Sequence, residues 1–93
     1  MYYVYILTTP RNTVLYTGVT NDLMRRLYEH RKPNGHGFTH RYNTIKLVYY
    51  EEYTQILDAI SREKQIKAGS RKKKEDLINQ KNSDWHEVSG SLR

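Results

Sequence analysis

Two tyrosines lie in short β-prone runs, Tyr5 in residues 2–8 and Tyr16 in residues 14–18. The turn residues Thr9-Pro10-Arg11-Asn12 between them make the two runs a hairpin. Tyr3, Tyr5 and Leu7 alternate onto one face of the first strand, and Val14 and Tyr16 share a face of the second. Tyr5 and Tyr16 can therefore stand side by side. Gly18 follows, where strand hands over to helix, and a glycine there lets backbone or ligand approach closely. In the helix, Leu23, Arg26, Leu27 and His30 recur at helical spacing. Leu23 and Leu27 face the core, so Arg26 and His30 flank that face and can converge on one oxyanion. A second helix places Ile56, Ala59, Ile60, Glu63 and Ile66 on one face, a carboxylate among apolar neighbours. An unpaired buried carboxylate is costly, so Glu63 either pairs with a cation or lines a cleft and holds a metal.

Each feature has an ordinary structural reading. Strand tyrosines pack across strands. Arg26 can bury its stem and His30 can be a surface residue. Glu63 can form an ion pair with an arginine at the core edge. Together, however, they make up the inventory for metal-assisted phosphodiester cleavage. Glu63 would ligate one divalent cation through oxygen, which suits Mg²⁺ or Mn²⁺. The cation would polarise a phosphoryl oxygen and stabilise the leaving group. Arg26 would neutralise charge building on the phosphate. A tyrosine hydroxyl would help activate water, and with an ordinary pKa of about 10 it needs a cation nearby for that role.

These groups must be positioned by one small domain, because 93 residues allow one core and not two. Nine tyrosines stand against one Phe and one Trp, so the core keeps hydroxyls that need partners or a cleft. The absence of cysteine excludes disulfides and thiolate metal sites and reads as an intracellular, cytoplasmic chain. No signal peptide is evident, and no run approaches the roughly 20 apolar residues of a membrane span. The net charge is +6. Its excess is clustered, with Arg25, Arg26, Arg31, Lys32, Arg41 and Lys46 opposed by Glu29 alone, and a second cluster in residues 62–75. Two such clusters suit a phosphate backbone, against the plain reading of a solvated surface. The backbone contacts are assigned to Arg25, Arg31, Lys32, His40 and Arg41 in the first cluster, and to Lys67, Arg71, Lys72, Lys73 and Lys74 in the second.

The first strand is apolar on both faces and should be central. Thr20 or Asn21 should cap the first helix, with Asp22 in its first turn, and the helix should run to about His30. Lys32-Pro33-Asn34-Gly35 breaks it, and Phe38 to Asn43 form a basic, aromatic loop. The third strand, Ile45 to Tyr53, places Lys46, Val48, Tyr50 and Glu52 on one face and Ile45, Leu47, Tyr49 and Glu51 on the other. Thr54 should cap the second helix, which Gly69 ends, and Ser70 should cap a third running to about Gln80. Residues 1–85 then form the domain and 86–93 a flexible polar tail, with Trp85 its single anchor. The fold class is α+β, order ββαβαα, with a three-stranded, mainly antiparallel sheet and helices packed against it.

Order and spacing resemble the GIY-YIG nuclease superfamily, in its stand-alone, single-domain branch. The first motif stands here as Tyr3-Val4-Tyr5 and the second as Tyr16-Thr17-Gly18. The helix arginine of the family matches Arg26, its metal-binding glutamate matches Glu63, and a histidine found in some members matches His30. The resemblance implies a three-stranded antiparallel sheet flanked by helices and a divalent metal on Glu63. It further implies Tyr16 as general base or nucleophile activator, Tyr5 as its hydrogen-bonding support and Arg26 on the scissile phosphate. The implied activity is a metal-dependent endonuclease on nucleic acid, with DNA placed ahead of RNA as substrate. Three departures bear on activity. Tyr3 replaces the first-motif glycine and should narrow the approach to the sheet. Thr17 replaces an isoleucine, a mild change. Val19 stands where the repair-nuclease branch has a lysine, a role His30 or His40 would have to fill. Two other readings follow: a nucleic-acid-binding module that keeps the nuclease fold without turnover, and a protein adaptor docking through the third helix.

Overall fold

A computed structural model describes residues 1–31 and 45–92. Strand β1 (Tyr2–Thr8) is central, flanked by β2 (Leu15–Thr20) and β3 (Lys46–Tyr53). Both pairings are antiparallel. Helix α1 (Leu23–Arg31) joins β2 towards β3, and α2 (Ile56–Ala68) and α3 (Arg71–Lys81) follow. A short 3₁₀ turn, Ser89–Leu92, comes last. The α+β class and the order ββαβαα are those the sequence implies.

The central position of β1 follows from its two apolar faces. Val4 and Ile6 point to one side, into a core with Ala59 and Ile66 of α2 and Ile78 of α3. Tyr5 and Leu7 point to the other, into a core with Leu23 and Leu27 of α1. Burying each of these side chains contributes roughly 1.5–3 kcal/mol, and only a strand covered on both sides collects that twice. The sheet is thus a middle layer, with α1 on one face and α2 and α3 on the other.

Strand β3 departs from simple alternation. Tyr5 faces Tyr50 and Ile6 faces Tyr49, but Leu7 faces Leu47. Val48 is the extra residue of a β-bulge. Past it the faces exchange relative to the uninterrupted pattern, so Val48 and Tyr49 both join the α2–α3 core while Leu47 and Tyr50 lie on the α1 side. A two-residue period cannot show a bulge, because the bulge is chosen by packing on both sides.

Other boundaries also shift. Strand β2 continues to Thr20, so Gly18 lies inside it and not at its end. The α1 cap is Asp22, whose Oδ1 accepts from the Arg25 N–H at 3.1 Å, while Thr20 Oγ1 accepts from the Asp22 N–H at 3.1 Å. Position Ncap of α2 falls on Gln55, which makes no side-chain cap bond, in place of Thr54. Ser70 caps α3 as expected, accepting from the Lys73 N–H. Ile56 is 47% exposed and so leaves the buried stripe of α2. Thr17 is buried, and its hydroxyl has no hydrogen-bond partner among the described residues, so a hydroxyl in place of the motif isoleucine is a net cost there.

Trp85 is one of several anchors of the C-terminal segment. Lys46 Nζ donates to the Trp85 carbonyl at 2.9 Å, and Asn82 Nδ2 donates to the Val48 carbonyl at 3.0 Å. The Glu87 carboxylate accepts from the Leu47 N–H at 3.1 and 3.2 Å, and the Val88 N–H donates to the Leu47 carbonyl at 2.8 Å. These bonds occupy the outer edge of β3 at Leu47, which would otherwise present unpaired backbone.

On the α2 side of β3, Glu51 accepts from Tyr53 Oη at 2.6 Å, from Tyr49 Oη, and from Arg62 Nε at 2.9 Å. Burial raises the Glu51 pKa, but the hydrogen bonds from Arg62, Tyr49 and Tyr53 outweigh it and hold the carboxyl at about 2. The folded value lies below the ordinary value of 4.5, so this contribution is complete above about pH 4.5 and is lost as pH falls towards 2. Glu51→Gln should cost about 3 kcal/mol at pH 7, measured by urea denaturation. The difference between the two proteins should narrow steadily below pH 4.5.

Candidate active site

The tyrosine hairpin supplies the floor of the site. Tyr5 pairs with Gly18 across β1 and β2, and paired residues point to the same face. A Cβ at position 18 would overlap the Tyr5 hydroxyl and its Cζ. Glycine is therefore required so that the end of the Tyr5 ring can lie across β2. The close approach anticipated at Gly18 is made by a side chain of the protein itself.

Helix α1 brings the next two groups. Arg26 Nε donates to Tyr5 Oη at 3.3 Å, and His30 Nε2 lies 3.3 Å from the same oxygen. An arginine N–H can only donate, so the single Tyr5 proton is available for His30 Nε2 when that nitrogen is the acceptor. Tyr16 completes the group, with its ring centroid 6.3 Å from that of Tyr5 and 5.0 Å from that of His30. Its hydroxyl also hydrogen-bonds the Arg26 side chain. Tyr5 is buried while Tyr16 is partly exposed.

The electrostatics follow from this packing. Burial pushes the Tyr5 phenol above its ordinary value; the Arg26 hydrogen bond opposes that, and the charges of Tyr16 and Glu63 add to it. Tyr5 is accordingly a neutral phenol at pH 7. Arg26 is held firmly cationic, first by its bond to Tyr5. Burial and then the Arg26 charge lower the His30 pKa, with Glu29 opposing them, so His30 is neutral at pH 7 and can accept a proton.

Glu63 lies on α2. It is 15% exposed and pairs with Lys67 Nζ at 2.7 Å, an i,i+4 contact. It is close enough to Tyr5 for its charge to act on the phenol. The arginine–carboxylate pair expected at the edge of the core exists, but it is Arg62 with Glu51. No group of three or more His, Asp or Glu side chains that could cage a metal occurs among the described residues. A single carboxylate suits a Mg²⁺-like ion that keeps several waters and takes its remaining ligands from a phosphate.

The basic residues are used unevenly. Arg71 donates to the Asn12 and Thr13 carbonyls and to Glu75, tying α3 to the β1–β2 turn. Arg31 donates to the Ile45 carbonyl and to Glu87. Lys74 Nζ donates to the Gly69 carbonyl, and Lys72 pairs with Asp76 at 3.5 Å. Arg25 contacts Asn21 Oδ1 at 3.4 Å, and Lys73 is exposed. The α3 cations lie on the sheet face opposite Tyr5. Lys32, His40 and Arg41, with the loop from Phe38 to Asn43, lie outside the described residues. Tyr3 lies on the same face as Tyr5, and its ring packs edge-on against Tyr50 of β3 at 6.2 Å. Val19 packs into the α2–α3 core, so His30 is the titratable ring nearest Tyr16 among the described residues.

Residues 1–76 match the family model described as the GIY-YIG catalytic domain. The chain belongs to the GIY-YIG family. Similar proteins include a UPF0213 protein of Natronomonas pharaonis, 39% identical over 83% of this chain and 89% of its own length. Another is a UPF0213 protein of Clostridium perfringens, 41% identical over 87% of this chain and 86% of its own. Among solved structures, the solution structure of the UPF0213 protein BH0048 from Bacillus halodurans superimposes with a TM-score of 0.61 at 31% identity. That match covers 96% of this chain and 95% of the other. The GIY-YIG motifs are thus the hairpin pair that places Tyr5 over Gly18 beside Tyr16. Glu51 and Arg62, which the motifs do not include, are joined only in three dimensions.

Gly18→Ala should displace the Tyr5 ring and destabilise the fold by about 1–3 kcal/mol, seen as a lower thermal midpoint and altered Tyr5 ring shifts. His30 should titrate below 6.5 in NMR. Arg26→Gln should raise its midpoint without restoring 6.5, because burial remains the larger cause.

Proposed function

We propose that this protein is an endonuclease that hydrolyses phosphodiester bonds in DNA, using one Mg²⁺ or Mn²⁺ ion held by Glu63. The observation that carries the reading is the convergence of Arg26 and His30 on the Tyr5 hydroxyl, with the Tyr16 ring against His30 and Glu63 electrostatically coupled to the Tyr5 phenol. Membership of a nuclease superfamily supports it.

The residues take distinct parts. Arg26, with 41% of its side chain exposed, can bind a phosphate oxygen from the open side while its Nε stays on Tyr5. That bond fixes the guanidinium before substrate arrives, so its charge needs no reorganisation as negative charge builds on phosphorus. Tyr16 presents the hydroxyl that orders the attacking water, and it takes a proton from that water as its own phenolic proton departs. Neutral His30 beside it is the acceptor to which that proton can pass. Water oxygen bonds to phosphorus as the P–O bond to the leaving oxygen breaks. The divalent ion, when bound, supplies Lewis-acid stabilisation of the phosphoryl and leaving oxygens. Among the described residues, no helix is long and apolar enough to cross a membrane.

Lys67 favours a second reading. Its ammonium sits on the Glu63 carboxylate, as an internal counter-ion would in a nucleic-acid-binding module without turnover. The two readings separate on supercoiled, branched and single-stranded DNA, with RNA alongside, in Mg²⁺ or Mn²⁺. Cleavage is expected, abolished by Glu63→Ala and slowed about 10²-fold or more by Tyr16→Phe or Arg26→Ala. Cleavage unchanged in Glu63→Ala would sink the nuclease reading. Salt-dependent binding without cleavage would establish the binding module.

A further inference from the structure

Arg62 precedes Glu63 in α2 and lies outside the cluster around Tyr5. Helix α2 presses on the sheet through Ala59 and Ile66. These apolar contacts are non-directional, and Ile56 and Leu57 at the start of the helix face solvent. A directional tie comes from the Arg62 guanidinium. Its Nε stands 2.9 and 3.2 Å from the two Glu51 oxygens, and its Nη2 stands 3.0 Å from Oε2. Such a two-point fork specifies angle as well as distance.

The receiving carboxylate is itself held. Tyr49 and Tyr53, the strand neighbours of Glu51 on the same face, both donate to it. That face is set by the pairing of Glu51 with Val4 of β1, so Glu51 is held to the frame of the sheet. Arg62 Nη1 donates back to Gln65 Oε1 at 2.7 Å, which ties the guanidinium to its own helix. One residue further on, the chain has turned about 100° around the helix axis. With Arg62 fixed on β3, the angular position of Glu63 around the helix is fixed as well.

We propose that the Glu51–Arg62 fork is a positioning element that sets the rotation of α2 and thereby holds the Glu63 carboxylate at the Tyr5–Tyr16–Arg26 cluster. Its catalytic consequence rests on the nuclease reading above; its geometric content does not.

Arg62→Lys retains the charge and removes the fork, so effects at Glu63 report geometry. The first measurement uses metal-free protein and follows the Tyr5 Cζ shift against pH, with and without Glu63→Gln. In the wild-type background, removing the Glu63 charge should lower the Tyr5 midpoint, since that charge opposes the phenolate. In the Arg62→Lys background the effect of Glu63→Gln should vanish. An equal effect in both backgrounds would overturn the proposal. The second measurement titrates Mn²⁺ and follows paramagnetic broadening. Broadening should centre on Glu63 in the wild type and need about 10-fold more Mn²⁺ in Arg62→Lys. Metal-free DNA affinity should be unchanged. Equal Mn²⁺ affinity in the two proteins would also overturn the proposal. If the wild type binds no Mn²⁺ at Glu63, the nuclease reading fails, and the Tyr5 titration decides the positioning role by itself. Should Arg62→Lys not fold, Tyr53→Phe removes one bond to Glu51, and a smaller change in the same direction is expected.

Discussion

The site depends on the missing side chain at Gly18. The Tyr5 hydroxyl lies where the Cβ of any other residue would stand, and only because that volume is empty can one phenol oxygen meet Arg26 and His30 together. Those groups come from α1, and Tyr5 comes from the central strand of the sheet. The close approach therefore joins the sheet to the helix through polar contacts inside a mostly apolar interface. Burial makes each bond more consequential than it would be in water. It keeps Tyr5 protonated, Arg26 charged and His30 neutral.

A second carboxylate system works in the opposite sense on the other face of the sheet. Glu51 is held at about 2 by three donors, so it stays ionised and fully engaged across the working pH range. Glu63 has one close ammonium partner, on a lysine that is 52% exposed. Two glutamates in partly buried places thus have different characters. One is saturated and structural, the other lightly paired and open to exchange. Glu51 pairs with Val4 of β1 and so faces α2, where Arg62 meets it.

The positive charge is also divided. Arg71 and Arg31 spend their donors on backbone carbonyls and carboxylates, closing α3 onto the hairpin turn and the C-terminal segment onto α1. Planar guanidinium groups suit such fixed, multiple contacts. Lys72 and Lys73 keep exposed charges on α3, Lys72 beside Asp76. The same net charge therefore serves both cohesion and the field presented to a polyanion.

Much of this protein could be read in the chain itself. Periodicity gave the strands and helices, and the apolar run of β1 placed it at the centre. Alternation put Tyr5 and Tyr16 on one face, and the helix repeat put Arg26 and His30 one turn apart, because these are local consequences of backbone geometry. Boundaries decided by competing local bonds were less legible. Asp22 displaced its neighbours as the α1 cap, and Gly18 proved to be interior to β2. What only the tertiary structure decided are relations between distant residues: which atom fills the space over Gly18, that Val48 bulges, that Glu51 receives Arg62, and that Glu87 closes the edge at Leu47. Such relations depend on packing several elements at once, and a one-dimensional pattern records the period of each element but not the bulge or rotation that fits them together.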